Sequence, residues 1–197
     1  MMKRLSMGML LIVLGVVVLV SCGKKAVDPE TAYVKMETSL GDIYIDLFET
    51  DTPLHAANFK KLSSEGAYEG IYFHRVITGF MVQAGDPNTR DNDDRSDDGG
   101  GGIGERIPAE IGLPHLRGSL GAARDGNPEK KSSGSQFYIC HGTPSWLDGD
   151  YTVFGEVVKG MDVVDEIATR PVDPNNNPIE TVTILKTSLI NPEDVPK

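Results

Sequence analysis

The chain has 197 residues, 39% of them hydrophobic and 24% charged, enough apolar material for one domain with a core and too much for a disordered chain. Acidic residues outnumber basic ones by 29 to 19, a formal charge of -10, which argues against a nucleic-acid binder because phosphate neutralisation needs a basic face. Two cysteines, Cys22 and Cys140, exclude a multi-disulfide scaffold.

The first residues form an export signal. Lys3 and Arg4 precede an unbroken run of apolar residues and glycine from Met7 to Val20, long enough for a signal core and too short to span a bilayer. Leu19-Val20-Ser21-Cys22 resembles the lipobox of bacterial lipoproteins, in which a peptidase cuts before a lipid-bearing cysteine. The resemblance implies a signal peptide over 1–21, then lipidated Cys22 and a short tether over 22–31. It also implies a place on a bacterial membrane, at its periplasmic or outer-membrane face. Gly23 follows the cysteine, where many inner-membrane lipoproteins carry Asp.

Ala32 to Thr38 alternates apolar and polar residues, and Ser39-Leu40-Gly41-Asp42 turns it into Ile43 to Phe48, a hairpin pattern. Thr52-Pro53 predicts an N-cap and first-turn proline for a helix through Leu62, stopped by Gly66. Ala56, Phe59 and Leu62 share its buried face. Further strands are predicted at Ile71 to Val76, Phe80 to Ala84, Ser119 to Ala123, Gln136 to Cys140, Thr152 to Val158 and Thr181 to Lys186. A second helix is predicted at Met161 to Ala168. Short strands with two isolated helices predict an antiparallel barrel or sandwich, one domain over 32–188 with a loose tail over 189–197.

Several chemistry-bearing patterns fail. Gly99, Gly101 and Gly104 match GxGxxG, but no strand precedes them and no helix follows. A calcium loop starting at Asp91 has Arg95 and Ser96 where a ligand and glycine are needed. The acidic, glycine-rich stretch from Asp86 to Glu105 reads as a solvated insertion loop. His55, His74, His115 and His141 are scattered without HExxH or CxxC, so no metal or cofactor is expected. Cys140 and His141 are neighbours on a strand and point to opposite faces, and no GxSxG elbow is present; hydrolase chemistry is not indicated.

What stands out is Phe73-His74-Arg75-Val76-Ile77-Thr78-Gly79-Phe80-Met81-Val82-Gln83-Ala84-Gly85-Asp86: an arginine and a glutamine on two strand segments joined by a Thr-Gly turn. Alternation puts Met81 and Gln83 on one face and Phe80 on the other. A structural hairpin with a core Phe fits the same spacing. The segment resembles the signature of the cyclophilin-type peptidyl-prolyl isomerases. Gly134-Ser135-Gln136-Phe137-Tyr138-Ile139-Cys140, Trp146-Leu147-Asp148-Gly149 and Thr152-Val153-Phe154-Gly155-Glu156-Val157 continue it in the family's order, from about Tyr33 to Thr187.

The resemblance implies a closed eight-stranded antiparallel barrel capped by two helices, a monomer, and proline-containing segments of exported proteins as partners. It implies catalytic roles for Arg75 and Gln83, and a substrate groove built from Phe80, Met81, Ala123, Gln136, Tyr138, Trp146, Leu147 and Tyr151. The chemistry needs no nucleophile, because the bond rotates without breaking. Three positions depart from the family pattern: Tyr138 usually is Phe and adds a hydroxyl that needs a partner, Tyr151 often is His, and Arg124 replaces a common Asn. The alternative reading is a non-catalytic barrel that binds proline-containing segments as a chaperone or scaffold of the cell envelope.

Overall fold

The structure, a computed structural model, describes residues 26–90 and 95–197. The expected signal peptide over 1–21 and Cys22 lie outside the described residues. The elements in chain order are β1 (Tyr33–Thr38), β2 (Gly41–Leu47), α1 (Pro53–Ser64), β3 (Arg75–Ile77), β4 (Met81–Ala84), β5 (Ser119–Ala122), β6 (Phe137–Cys140), β7 (Val153–Lys159), α2 (Met161–Ala168) and β8 (Ile184–Ile190). Short 3-10 turns lie at Pro87–Arg90, Ser145–Leu147 and Pro192–Asp194. Among the described residues no helix is long and apolar enough to cross a membrane.

All strand pairs are antiparallel, in the order β3-β4-β6-β5-β7-β2-β1-β8. The two end strands do not pair, so the sheet is an open half-barrel and not the closed barrel expected. The cause is local. Of the predicted strand from Ile71 to Val76, only Arg75 and Val76 fall within the three-residue β3, and the last strand starts at Ile184 instead of Thr181. Loop backbone spans the gap instead, through a single bridge from Tyr72 to Thr183 and a hydrogen bond from Phe73 N–H to Val182 O of 3.0 Å. At its other end β8 runs to Ile190, into the stretch read as tail.

The alternation on the middle strands creates two apolar faces. Val82 and Ala84 of β4, Leu120 and Ala122 of β5, and Phe137 and Ile139 of β6 enter the main core with Val34, Met36, Ile43 and Ile45. Met81, Tyr138 and Cys140 point outward with Ala123 and form a second cluster on the outer face. Strand β6 is buried on both sides as a result, and the outer cluster is where the site forms.

Helix α1 closes the main core through Ala56, Phe59 and Leu62, as its spacing predicts; Phe59 meets the rings of Tyr68, Phe137 and Phe154 at 5.1–5.5 Å. Its N-terminus is capped differently from the sequence reading. Thr52 holds the N-cap position, but its hydroxyl donates to Phe48 O. The Glu110 carboxylate, from a distant loop, accepts the N–H groups of Leu54 and His55 at 3.0 Å each. Two orphan donors and the helix dipole make that position suit an anion. Glu110 also accepts from His55 Nδ1 at 2.6 Å, while His55 Nε2 lies 3.0 Å from Ser132 Oγ. This buried brace ties α1 to both loops that lead into the groove.

Candidate active site

The β3–β4 hairpin sets the polar edge of the outer site. Arg75 and Gln83 are directly paired in the ladder, so their side chains leave the same face. Arg75 Nη1 donates to Gln83 Oε1 at 3.3 Å, Gln83 Nε2 donates to Gln136 Oε1 at 2.9 Å, and Gln136 Nε2 donates to the carbonyls of Gly99 and Gly101 at 2.9 and 2.7 Å. This chain of amides fixes Gln83. Arg75 stays exposed, 5.9 Å over the Phe80 ring, and among the described residues no carboxylate lies within ion-pair distance of it. Its charge is free to meet a ligand.

Gly79 takes φ +79°, a left-handed turn conformation that glycine adopts without strain. Phe80 therefore sits in the turn before β4, outside strict alternation, and packs with Met81 against the same cluster. The two side chains that alternation separates are brought together by this turn.

Phe80, Met81, Ala123, Tyr138, Leu147 and Tyr151 wall a slot of about 160 Å³, with Arg75, Gln83 and Arg124 along its edge. Trp146 does not line the slot. It is 67% exposed and leans on Phe80 at 5.5 Å, a rim residue. Arg124 is pinned over the Tyr151 ring at 4.6 Å, with its Nε donating to Asp150 O at 2.8 Å. Gln136 belongs to the neighbouring pocket of about 370 Å³, which shares Gln83, Ala123 and Arg124 with the slot.

That pocket changes the reading of the 86–105 stretch. Gly99, Gly100, Gly101 and Gly102 form its wall, so the glycine run of the supposed solvated loop is part of the groove. Buried Asp86 holds the loop in place: its two carboxylate oxygens accept the N–H groups of Asn88 and Gly101 at 2.9 and 3.0 Å. Across the pocket, Arg106 makes two 2.6 Å hydrogen bonds to Asp125, and Arg106 and Asn127 together hold the Asp125 carboxyl down at about 2.

The inner members of the outer cluster, Met81, Tyr138 and Cys140, are buried. Burial pushes the Cys140 thiol up to about 12 and pushes the Tyr138 hydroxyl upward as well. Cys140 is a core residue, consistent with its separation from His141, which instead accepts from Gly79 N–H at 2.8 Å and faces Asp165 at 3.2 Å. Among the described residues no group of three or more His, Cys, Asp or Glu side chains is arranged to hold a metal ion. Two groups at this site carry no local signal in the sequence: His115, fully buried behind Tyr138, and Asp148, which bonds to it. Asp148 does fall within the Trp-Leu-Asp-Gly block, but His115 lies 33 residues away from it.

The site is an apolar slot edged by an exposed guanidinium and a fixed amide, with a buried thiol beneath it. The family model for cyclophilin-type peptidyl-prolyl cis-trans isomerases matches residues 33–189. A probable peptidyl-prolyl cis-trans isomerase of Brucella suis biovar 1 (strain 1330) is 43% identical over 147 residues, which cover 72% of this chain and 74% of that one. A peptidyl-prolyl cis-trans isomerase of Synechococcus elongatus is 45% identical over 122 residues, covering 61% and 77%. The crystal structure of a Cryptosporidium parvum cyclophilin-type isomerase in the presence of the dipeptide Ala-Pro superposes with a TM-score of 0.72 at 29% identity, over 81% of this chain and 99% of that one. The chain belongs to the cyclophilin-type peptidyl-prolyl cis-trans isomerases.

Proposed function

We propose that the slot takes the proline ring of an X–Pro segment and that Arg75 is the catalytic residue, with Gln83 holding the substrate backbone. The observation that carries this is the direct pairing of Arg75 with Gln83 at the mouth of an apolar slot, the guanidinium having no carboxylate partner among the described residues. The similar Cryptosporidium structure was determined in the presence of Ala-Pro, a ligand with such a ring.

Rotation about an X–Pro bond faces a barrier of about 18–20 kcal/mol because the amide nitrogen shares its lone pair with the carbonyl. Twisting makes that nitrogen pyramidal and returns the lone pair to it. A donor aimed at the nitrogen bonds to the twisted amide and not to the planar one, which is the differential binding that speeds a reaction. A thousandfold effect needs about 4 kcal/mol. One charge-assisted hydrogen bond at the edge of an apolar slot has that order of strength.

The test is cis/trans exchange of an Ala-Pro peptide by NMR, with the parent chain and with Arg75→Ala. Acceleration lost in the variant while the peptide still binds supports the role given to Arg75. Binding with no acceleration in either protein returns the chain to the scaffold reading.

The clients are proposed to be exported proteins, met at a bacterial membrane to which lipidated Cys22 anchors the domain; the lipobox-like Leu19-Val20-Ser21-Cys22 supports this. Buried Lys60 donates to Pro29 O at 2.8 Å and pairs with Glu49, which fastens the tether to α1. Only residues 23–28 then separate anchor from domain, a reach of roughly 20 Å. Cys22→Ala is expected to move the protein from the membrane to the soluble fraction; membrane retention in that variant rules the anchor out.

A further inference from the structure

We propose that His115 is a positioning residue of the slot, which it serves by taking the Tyr138 hydroxyl from behind and tying it through Asp148 to the turn that carries Leu147. The inference rests on the slot being the proline site.

Tyr138 forms the floor of the slot, and its hydroxyl lies 2.8 Å from His115 Nε2. The two rings are nearly parallel, at 12° with centroids 6.0 Å apart. On its other side His115 places Nδ1 2.7 Å from Asp148 Oδ1, and its backbone N–H donates to the same oxygen at 2.8 Å. These two hydrogen bonds hold the Asp148 carboxyl below the usual carboxylate range. A carboxylate can only accept, so Nδ1 donates to Asp148; in the arrangement we propose, Nε2 presents its lone pair to the Tyr138 hydroxyl, which donates. Every polar atom of the fully buried imidazole is thereby used.

Asp148 ends the 3-10 turn Ser145–Leu147, and Leu147 walls the slot. One imidazole therefore joins slot floor to slot wall. The sheet is shaped for it: Gly121 faces Tyr138 in the ladder, and a methyl group there would overlap the ring at Cζ and the hydroxyl. A hydroxyl in the floor of an apolar slot would otherwise have to point its proton toward the proline ring or remain unbonded, and a buried donor left unbonded is costly. With His115 behind it, the ring face alone meets the slot.

The test is a double-substitution cycle in the full chain, read by the KM and kcat for an Ala-Pro peptide. His115→Leu keeps the volume and removes both hydrogen bonds; KM is expected to rise about tenfold with kcat within about twofold. In a Tyr138→Phe background the same His115→Leu change is expected to move KM by less than about twofold, because no hydroxyl is left to place. Equal effects of His115→Leu in both backgrounds would mean that the histidine is mere packing, and overturn the proposal.

A measurement on the parent chain does not depend on any variant folding. The ¹⁵N side-chain NMR spectrum of His115 should show a protonated Nδ1 and an Nε2 that accepts a hydrogen bond, and the Nε2 signal should move when Ala-Pro peptide is added. A protonated Nε2, or no movement at saturating peptide, overturns it as well. A parent chain that neither binds nor turns over the peptide defeats the slot reading itself, and this inference with it. Turnover with additive substitutions defeats the relay alone.

Discussion

Two histidines in this protein sit in the same bonding pattern and do different things. His55 lies between the Glu110 carboxylate and the Ser132 hydroxyl; His115 lies between the Asp148 carboxylate and the Tyr138 hydroxyl. By distances alone, the first set looks like a hydrolase triad. Ser132 is only 1% exposed, however, and the space beside His55 is about 10 Å³, at the limit of one water molecule. No substrate reaches it. The second set ends on a ring that floors an open slot. What separates brace from site is where the terminal side chain faces, since the hydrogen-bond chemistry is shared.

The comparison predicts that changes on the slot side move kcat/KM, through either constant, and changes on the brace side move stability. Arg75→Ala has the largest expected effect, a loss of about a thousandfold in kcat/KM, or about 4 kcal/mol. Its melting temperature should stay within a degree or two of the parent, because the exposed guanidinium bonds only to Gln83 in the described structure. A large drop in melting temperature would place Arg75 in the brace class instead.

Glu110→Ala is the opposite case. It removes the acceptor for two helix N–H groups and for buried His55, and is expected to cost about 3 kcal/mol, or roughly 10 °C in Tm, with little change in the rate of the folded enzyme. Burial raises the Glu110 carboxyl, yet the hydrogen bonds from His55 and from the Leu54 and His55 backbone outweigh it and hold the carboxyl low. An unchanged Tm would remove the distinction between the two triplets.

The smallest effect is on pH dependence. Burial lowers His55 despite the help of Glu110, and it lowers His74 despite nearby Asp86 and Asp98. Both are therefore harder to protonate in the folded protein than in the unfolded chain. The unfolded chain begins to gain protons near the ordinary value of 6.5 and the folded one lags, so stability falls as pH drops through 6.5. Urea midpoints should be lower at pH 5.5 than at pH 7.5. His74→Phe should flatten that slope in part, since both ring nitrogens of His74 are buried without a hydrogen-bond partner among the described residues. A midpoint constant across that interval excludes the account.

Much of the fold and half of the site follow from local pattern. Alternation locates the middle strands within a residue or two, and the spacing of Ala56, Phe59 and Leu62 locates the buried face of α1. Both signals are carried by neighbours in the chain, because the period of a strand or helix is set by its own backbone geometry. Arg75, Gln83 and the slot residues were legible as ordered blocks, and the structure brings Phe80 and Met81 together through the Gly79 turn.

What local pattern could not supply was anything whose cause lies far away in the chain. The open sheet depends on β3 and β8 failing to meet, a matter of how far two distant segments reach. The cap of α1 comes from Glu110 and not from Thr52, 56 residues from the N–H that it satisfies at Leu54. The glycine-rich loop becomes a pocket wall only when buried Asp86 folds it back. His115 reads as one scattered histidine until the sheet puts Tyr138 in front of it and Asp148 beside it. The sequence by itself determined most of the elements, the family and the edge proposed to react; the tertiary structure decided which polar groups find partners, because a buried donor must be satisfied by whatever the fold brings near.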